Sequence, residues 1–325
     1  MSLIRPVIRG TGHYLPARVV ENAEFADTLD TSDDWIVSRS GIERRHFAAE
    51  GEYTSDLATH AARAALDNAG VDAQAIDAVI VATSTPDYTF PAVATQVQAN
   101  LGITSGFAFD IQAVCAGFVF ALANASGLIL AGQAQRVLVI GAETFSRIMD
   151  PNDRSTVVLF GDGAGAVVLE AQPGTGSSSD RGVLACDLNS DGRYRDLLYV
   201  DGGVSRSGHA GHLRMQGREV FRHAVEKLAA TATTVLGKAG LTAADVNWIV
   251  PHQANLRIIK GTATKLGLPM ERVIVTVQDH GNTSAASIPL ALSVANERGA
   301  FRPGDLILTE AIGGGLSWGA VVLRW

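Results

Sequence analysis

The sequence is poor in cysteine and contains no long apolar run. Its 325 residues include two cysteines, Cys115 and Cys186, too far apart in the chain to suggest a disulfide framework. So few cysteines favour a reducing compartment. The first ten residues are interrupted by Arg5, Pro6 and Arg9 and lack the form of a signal sequence, and no apolar run reaches membrane-spanning length. These absences predict a cytoplasmic protein with no membrane partner.

An excess of positive charge is also missing. Lysine and arginine number 26 against 33 aspartates and glutamates, which gives a net charge of −7. A chain of this sign repels nucleic acid as a whole, so no nucleic-acid partner is expected, although a local basic patch is compatible with the total. The remaining composition, 47% hydrophobic and 18% charged, is typical of an α/β enzyme. The length suffices for one large domain or two.

Apolar patterns along the first half alternate between strand and helix periods. They predict strands at residues 7–14, 76–84 and 135–143, and an amphipathic helix at residues 55–69. The glycine-rich segment 161–170 enters a strand. It lacks the helix that follows a phosphate-binding loop. We therefore interpret it as a site of close packing.

The second half of the sequence repeats the first. The segment that starts at Leu66 (LDNAGVDAQAIDAVIVATS) aligns with the one that starts at Leu236 (LGKAGLTAADVNWIVPHQA), an offset of 236 − 66 = 170. The polar segment 172–181, rich in glycine and serine, is the best linker candidate. The sequence therefore predicts two similar α/β halves, residues 1–171 and 172–325, packed about a pseudo-two-fold axis.

Cys115 lies at the junction of an apolar strand and a buried helix. Unpaired backbone N–H groups and the helix dipole at such a position favour thiolate over thiol, so we expect a pKa below the ordinary value of about 8.5. The small neighbours Ala113, Ala116 and Gly117 leave room for a substrate. The alternative, from local sequence alone, is a cysteine packed as a small hydrophobic residue.

His252 and Asn282 are placed to meet Cys115. His252 follows a predicted strand, and Asn282 precedes the segment that the 170-residue offset pairs with the Cys115 helix. Matching strand ends of the two halves should share one central pocket, where α/β sheets commonly bind ligands. Each residue alone could be structural. Together they supply a thiol that can take an acyl group from a thioester and two donors that can stabilise an enolate.

Two further features allow more than one interpretation. The glycine run 313–315 could offer backbone N–H groups to an oxyanion, but a cysteine hydrolase would also use cysteine, histidine and asparagine. Trp35 lies near Arg39, Arg44 and Arg45. It could stack on a nucleotide base while the arginines meet phosphates, or it could be a core aromatic residue with a solvated charged face.

Six segments carry a family resemblance. QAVCAGF, VPHQANLRI, HGNTSAASIPLAL, GGGLSWGA, DTSDDWI and GDGAGAVVL resemble the β-ketoacyl-acyl-carrier-protein synthase III family, the initiating condensing enzymes of type II fatty-acid synthesis. The match covers essentially the whole chain, in order. The resemblance implies a duplicated thiolase-like fold with a layered α-β-α-β-α architecture, a homodimer, no metal, and no cofactor, coenzyme A thioester being the substrate.

The same resemblance implies a reaction. Cys115 would accept a short acyl primer, commonly acetyl, from acyl-CoA, and the backbone N–H groups of Cys115 and Gly314 would form the oxyanion hole. His252 and Asn282 would then bind malonyl-acyl carrier protein and stabilise the carbanion formed on decarboxylation. Attack of that carbanion on acyl-Cys115 would give a β-ketoacyl carrier-protein thioester and CO2.

Further positions match the family's binding residues, although each alone could be a core or surface residue. The coenzyme A positions are Thr31, Trp35, Arg39, Arg154, Gly217 and Asn255. The acyl-pocket positions, the first of which reaches the partner subunit's pocket in the family, are Phe90, Phe160, Leu198, Leu213 and Ile312. The basic rim expected to receive acidic acyl carrier protein consists of Arg222, Arg257, Lys260 and Lys265.

Ile312 departs from the family pattern, which commonly has phenylalanine before the three glycines. Because all three catalytic candidates are retained, we expect the condensing reaction to persist with a slightly different pocket.

One alternative is a thiolase-fold acyltransferase of secondary metabolism that passes the acyl group to an alcohol or amine; another is a non-catalytic carrier-binding module. Cys186 is predicted to be structural, and His209 and His212 have no further metal ligands nearby. The length and branching of the primer are left open.

Overall fold

The computed structural model of the chain describes residues 3–325 as an alternation of strands and helices. The strands are β1 (Leu3–Tyr14), β2 (Arg18–Glu21), β3 (Arg44–Phe47), β4 (Ala78–Ala82), β5 (Phe107–Ile111), β6 (Arg136–Thr144), β7 (Asp162–Gly174), β8 (Gly182–Ser190), β9 (Leu198–Val200), β10 (Leu213–Met215), β11 (Trp248–Pro251), β12 (Leu306–Gly313) and β13 (Ser317–Arg324). The helices are α1 (Asn22–Ala26), α2 (Asp33–Ser40), α3 (Thr54–Ala69), α4 (Val93–Asn100), α5 (Gly117–Leu130), α6 (Gly217–Lys238), α7 (Leu256–Leu266), α8 (Val277–His280) and α9 (Ser287–Glu297). The predicted strands and helix of the first half correspond to β1, β4, β6 and α3.

Two sheets form the frame of the molecule. The first has the strand order β1-β7-β6-β4-β5, and the second has the order β11-β12-β13-β8. In both, one neighbouring pair is parallel (β4 with β6, β11 with β12), and the next strand, β7 or β13, is antiparallel to it. In the first sheet, β5 flanks β4. At the equivalent place in the second sheet, Ile249 of β11 forms a parallel bridge with Val273. The two sheets therefore share one topology.

The 170-residue offset holds in three dimensions. It carries Gly70 (φ +64°), the left-handed residue that ends α3, onto Gly240 (φ +69°), which follows α6. It also carries the single turn 114–116 before α5 onto the single turn 284–286 before α9. The predicted duplicated fold is thus confirmed. The boundary between residues 171 and 172 stays a prediction and falls within β7.

Three helical layers enclose the two sheets. In the central layer, Phe118 of α5 and Ile288 of α9 pack in one apolar cluster with Val139 of β6 and Ile307 of β12. Helices α3 and α4 cover the outer face of the first sheet, and α6 and α7 cover the outer face of the second. This order confirms the predicted α-β-α-β-α architecture. Among the described residues, no helix combines the length and apolar character needed to cross a bilayer.

The two halves approach each other closely at two glycines of the first sheet. A Cβ on Gly141 of β6 would overlap the carbonyl oxygen of Ala285, and one on Gly165 of β7 would overlap the backbone nitrogen of Leu290 in α9. Only a residue without a Cβ permits this separation of sheet and helix. These contacts fix the turn 284–286 against the sheet of the other half.

We expect Gly141→Ala to lower the free energy of unfolding by about 2 kcal/mol or more, because its methyl group would force β6 away from the turn 284–286. Urea unfolding followed by circular dichroism measures the change. Gly237→Ala is the matched control: Gly237 is exposed in α6, no atom lies within 4 Å of an added Cβ, and a gain of about 0.5 to 1 kcal/mol is expected. Equal stability of Gly141→Ala and the unsubstituted chain would contradict the close contact.

Candidate active site

Cys115 occupies the turn between β5 and α5. Val114, which precedes it, has φ +50°, and Ser284 at the equivalent position of the second half has the same value. A β-branched residue in this left-handed region is strained, and such strain concentrates at functional sites. Cys115 itself is only 4% exposed and lines an internal cavity. The turn therefore holds a thiol in a nearly water-free position at the start of a helix.

The lowered pKa that we predicted for Cys115 is wrong. Burial raises the pKa of the thiol to about 12, and the nearby carboxylate of Glu143 adds to the rise. Desolvation penalises the thiolate, and a hydrogen bond with the Ser284 side chain offsets only part of that penalty. Cys115 therefore rests as a thiol at neutral pH.

His252 and Asn282 reach the cavity from the second half. His252 follows β11, and its backbone N–H donates to the Glu310 carbonyl of β12 at 2.8 Å. Asn282 follows α8, and its backbone is fixed on both sides: its N–H donates to the Leu159 carbonyl at 2.8 Å, and its carbonyl accepts from the Gly161 N–H at 3.0 Å. Strand-like hydrogen bonds thus position both residues.

The side chains of these two residues present defined chemistry. Asn282 Oδ1 accepts the backbone N–H of Ser284 at 2.9 Å, so the Nδ2 amino group, a donor, is the polar end left for a ligand. Burial lowers the pKa of His252 to about 3. Its imidazole is therefore neutral at physiological pH, because the charged form would lose its hydration.

A cavity of about 390 Å³ brings the three predicted catalytic residues together. This volume is within the range of small-molecule sites. The predicted residues that line it are Trp35, Arg39, Cys115, Phe160, Leu198, Gly217, His252, Asn255, Arg257, Asn282 and Ile312. The predicted residues that lie outside its wall are Thr31, Phe90, Arg154, Leu213, Arg222, Lys260, Lys265 and Gly314.

Two of the residues outside the wall adjoin it. Leu213 packs in one apolar cluster with Leu198. A Cβ on Gly314 would lie 2.7 Å from the Leu198 carbonyl oxygen, and a Cβ on Gly313 would lie 2.6 Å from the backbone nitrogen of Cys115. Gly313 therefore approaches the backbone of Cys115 closely, whereas the predicted oxyanion residue Gly314 packs against Leu198.

Other residues outside the wall lie on the surface. Phe90 is 83% exposed on the segment before α4. Lys260 and Lys265 are exposed on α7, beside the cavity-lining Arg257. Arg222 of α6 is exposed too, but it pairs with Glu219 at 2.6 Å, which offsets its charge. The exposed cations of the predicted basic rim thus lie mainly on α7.

Trp35, on α2, lies at the cavity with two arginine guanidinium groups near its indole ring. The guanidinium of Arg39 is 5.5 Å from the indole centroid, and that of Arg154 is 5.3 Å from it. Arg154 is held in place by Asp30, through its carbonyl oxygen and, at 3.1 Å, through its carboxylate. Thr31 is half-buried just before this helix. The Arg154 guanidinium is in contact with the Trp35 indole, so a planar group that binds between them would have to displace the guanidinium.

One face of α6 also lines the cavity and was not predicted from the sequence. Of the residues on this face, Gly217 was predicted as a binding residue, whereas Val220, Phe221 and Ala224 were not. Their spacing of three, four and seven residues from Gly217 is that of one helix face. Helical periodicity identifies such a face but does not distinguish a cavity wall from a core. The other unpredicted lining residues are Ile36, Ser40, Ser155, Val158, Leu159, Met215, Arg218, Ala254 and Ile258.

Two buried carboxyl groups lie on the strands behind the site. Glu143 of β6 accepts hydrogen bonds from Ser84 N–H at 3.0 Å and from the Thr85 hydroxyl at 2.6 Å, and burial raises its pKa to about 7. Glu310 of β12 is 1% exposed, neither of its carboxyl oxygens has a hydrogen-bond partner among the described residues, and burial raises its pKa to about 8. Glu310 is therefore mainly protonated at neutral pH.

Within residues 3–325, no group of three or more His, Cys, Asp or Glu side chains is placed to hold a metal ion.

Two topologically equivalent sheets around a central helical layer, with a buried cysteine, histidine and asparagine in one cavity, define a thiolase-fold acyltransferase. Family models described as 3-oxoacyl-[acyl-carrier-protein] synthase III and its C-terminal part match residues 109–192 and 236–325. The chain belongs to the 3-oxoacyl-[acyl-carrier-protein] synthase III family. The family and the thiolase fold predicted from the sequence are thereby confirmed.

Individual relatives match over the whole chain. The β-ketoacyl-[acyl-carrier-protein] synthase III of Dinoroseobacter shibae is 74% identical over 321 residues, and that of Rhodobacter capsulatus is 74% identical over 322 residues; each alignment covers 99% of both chains. The crystal structure of 3-oxoacyl-[acyl-carrier-protein] synthase III from Aquifex aeolicus has a TM-score of 0.92 and 46% identity, covering 98% of this chain and 100% of that one. Sequence and structure comparisons therefore agree on one family.

The buried Glu310 carboxyl group makes stability depend on pH. Glutamate ordinarily ionises near pH 4.5, whereas Glu310 in the folded chain stays protonated to about pH 8. Between these values the unfolded chain binds fewer protons, so this group lowers the free energy of unfolding as pH rises, by up to about 1.4 kcal/mol per pH unit. We expect Glu310→Gln to remove this decline, measured by urea unfolding from pH 5 to 8. Substitution of the exposed Glu271 by Gln should leave the slope unchanged, and an unchanged slope in Glu310→Gln would contradict the buried neutral carboxyl.

Proposed function

We propose that the chain catalyses the decarboxylative condensation of a short acyl-coenzyme A, with acetyl-coenzyme A the first candidate, and malonyl-acyl carrier protein. The observation that carries this proposal is the convergence of Cys115, His252 and Asn282 in one buried cavity. The products are a β-ketoacyl carrier protein, coenzyme A and CO2, and the reaction initiates fatty-acid synthesis. Relatives 74% identical to this chain bear the name of such a synthase.

The first half-reaction transfers the acyl group to Cys115. The sulfur attacks the thioester carbonyl, and the oxyanion that forms is held by the backbone N–H groups of Cys115 and Gly314. The bond between the carbonyl carbon and the coenzyme A sulfur then breaks, and the thiol proton of Cys115 ends on coenzyme A. Because one thioester replaces another, the step is nearly balanced in free energy. The raised pKa of Cys115 requires proton loss to accompany attack rather than precede it.

The second half-reaction forms the carbon–carbon bond. The malonyl thioester carbonyl lies against His252 and Asn282, whose donors stabilise the negative charge that its oxygen acquires when CO2 leaves. The electron pair of the broken bond then attacks the carbonyl carbon of acyl-Cys115. The Cys115 sulfur leaves as thiolate and takes a proton from solvent, which restores the resting thiol.

Substrate binding divides along the length of the cavity. The adenine of coenzyme A is assigned to Trp35 and Arg154. Its phosphates and pantetheine arm are assigned to Thr31, Arg39, Gly217 and Asn255. The acyl end is assigned to Phe160, Leu198, Leu213 and Ile312. The acidic carrier protein is assigned to Arg222, Arg257, Lys260 and Lys265, whose charges would steer it to the cavity mouth. Exposure of the three α7 cations supports the last assignment.

We further propose a cytoplasmic homodimer that needs no metal or added cofactor and whose halves divide near residue 171. The exposed Phe90 side chain and the position of β5 at the edge of the first sheet support a second subunit on this side. Two free cysteines suit a reducing compartment.

Transfer of the acyl group to an alcohol or amine is not favoured, because that reaction has no use for the enolate-stabilising pair His252 and Asn282.

We expect Cys115→Ala to abolish labelling by acyl-coenzyme A, because it removes the only thiol among the residues that line the cavity. Asn282→Ala should retain labelling but lower the rate of condensation about 100- to 1,000-fold, since one donor to the enolate is lost. Intact-protein mass measures the first effect, and CO2 release from malonyl-acyl carrier protein measures the second. Cys186→Ala is the control and should behave as the unsubstituted chain. An acyl adduct on Cys115→Ala, or a labelled enzyme that never releases CO2, would overturn the proposed function.

We expect Lys260→Glu to raise the KM for malonyl-acyl carrier protein about tenfold at low salt and to reduce its salt dependence, because an attractive charge becomes repulsive. Acylation of Cys115 by acyl-coenzyme A should not change, since Lys260 does not line the cavity. Arg302→Glu, an equal change in net charge at an exposed position before β12, is the control. Equal KM values for the two variants would exclude Lys260 from the carrier-protein surface.

A further inference from the structure

Ser287 forms a direct contact with the imidazole of His252. Ser287 is the first residue of α9, it is 2% exposed, and its Oγ lies 2.7 Å from His252 Nδ1. The same Oγ accepts the backbone N–H of Gln253 at 3.2 Å. With Nδ1 occupied in this way, Nε2 is the imidazole nitrogen left for a ligand in the cavity.

The hydrogen bonds of Ser287 distinguish the two neutral forms of His252. If Nδ1 carried the proton, Ser287 Oγ would accept two hydrogen bonds, and its own hydrogen would have no acceptor among the described residues. If Nδ1 is the acceptor, the Ser287 hydroxyl donates its hydrogen to Nδ1 while its oxygen accepts from the Gln253 N–H. The Ser287 hydroxyl, His252 Nδ1 and the Gln253 N–H are then all hydrogen-bonded. Buried polar groups are nearly always hydrogen-bonded, which favours the second arrangement.

Gln253 holds this arrangement rigid. Its side-chain amino group donates to the carbonyl oxygens of Pro251 at 2.8 Å and Ile274 at 3.1 Å, and its side-chain oxygen accepts from the Thr276 N–H at 2.9 Å. Gln253 is 1% exposed. The amide therefore ties the end of β11 to the segment that leads into α8 and Asn282, and it keeps the Gln253 N–H aimed at Ser287.

We propose that Ser287 is a positioning residue that holds His252 in the tautomer protonated on Nε2, so that the imidazole presents a hydrogen-bond donor to the cavity. This inference rests on the proposed function for its catalytic consequence. A protonated Nε2 attracts the enolate oxygen formed on decarboxylation, whereas the other tautomer would direct a lone pair at that negative charge. The neutral state of the buried imidazole is consistent with this assignment.

The tautomer can be read directly in the resting enzyme. Protein labelled with ¹⁵N-histidine gives long-range ¹H–¹⁵N correlations that distinguish protonation at Nε2 from protonation at Nδ1, and the His252 signals are assigned by their loss in His252→Ala. We expect the unsubstituted chain to show a single Nε2-protonated tautomer for His252. An Nδ1-protonated His252 would overturn the proposal, whether or not any Ser287 variant folds.

Substitution of Ser287 tests its role. We expect Ser287→Ala to show a population of Nδ1-protonated His252 and to release CO2 from malonyl-acyl carrier protein about 10- to 100-fold more slowly, with little change in acylation of Cys115. Ser287→Cys keeps a weak donor of similar size and should restore part of the rate. Unchanged tautomer and unchanged CO2 release in Ser287→Ala would overturn the proposal.

Ser293 provides a matched control on the same helix. It is fully buried, and its Oγ lies 2.9 Å from Nδ1 of a different histidine, His13, far in sequence from the catalytic residues. Ser293→Ala should leave both the His252 tautomer and CO2 release unchanged; equal losses in the two alanine variants would reduce the role of Ser287 to stability and overturn the proposal. Failure of the unsubstituted chain to release CO2 would instead overturn the proposed function, while the tautomer result would stand by itself.

Discussion

The packing of the turn 284–286 against the first sheet fixes the position of every reactive group. Gly141 brings β6 against Ala285, and a Cβ on Gly117, at the start of α5, would lie 3.2 Å from the Ala285 side chain. The proposed nucleophile and the two proposed donors come from different halves of the chain, so the distance between them depends on this contact. Small residues are required here because any larger side chain would separate the halves and enlarge the cavity between them.

The same packing excludes water, and this decides the charge of the site. Cys115, His252 and Glu310 are each less than 5% exposed. Burial raises the pKa of the thiol and of the carboxyl group and lowers that of the imidazole, so all three are neutral at physiological pH. Charge next to these three groups would therefore arrive with the substrates and the reaction, in an environment where fixed donors act strongly on it.

Duplication supplied the frame, but the two halves have diverged in chemistry. The 170-residue offset pairs Cys115 with Ala285, His252 with Ala82 and Asn282 with Gln112. Each functional side chain is thus present in one half only, although the strained turns at Val114 and Ser284 persist in both. The first half provides the proposed nucleophile, and the second provides the groups proposed to stabilise charge, including the Ser287 hydroxyl behind His252.

The sequence by itself determined the repeat, the strand and helix order of the first half and the three candidate catalytic residues, because periodicity and motif are local properties of the chain. The protonation state of Cys115 required the tertiary structure: the position at the start of a helix is visible in the sequence, whereas the burial that raises the pKa of the thiol is not. The cavity face of α6, the contact between Trp35 and Arg154, and the bond from Ser287 to His252 likewise join segments distant in sequence. Only packing decides which of many possible partners a side chain meets.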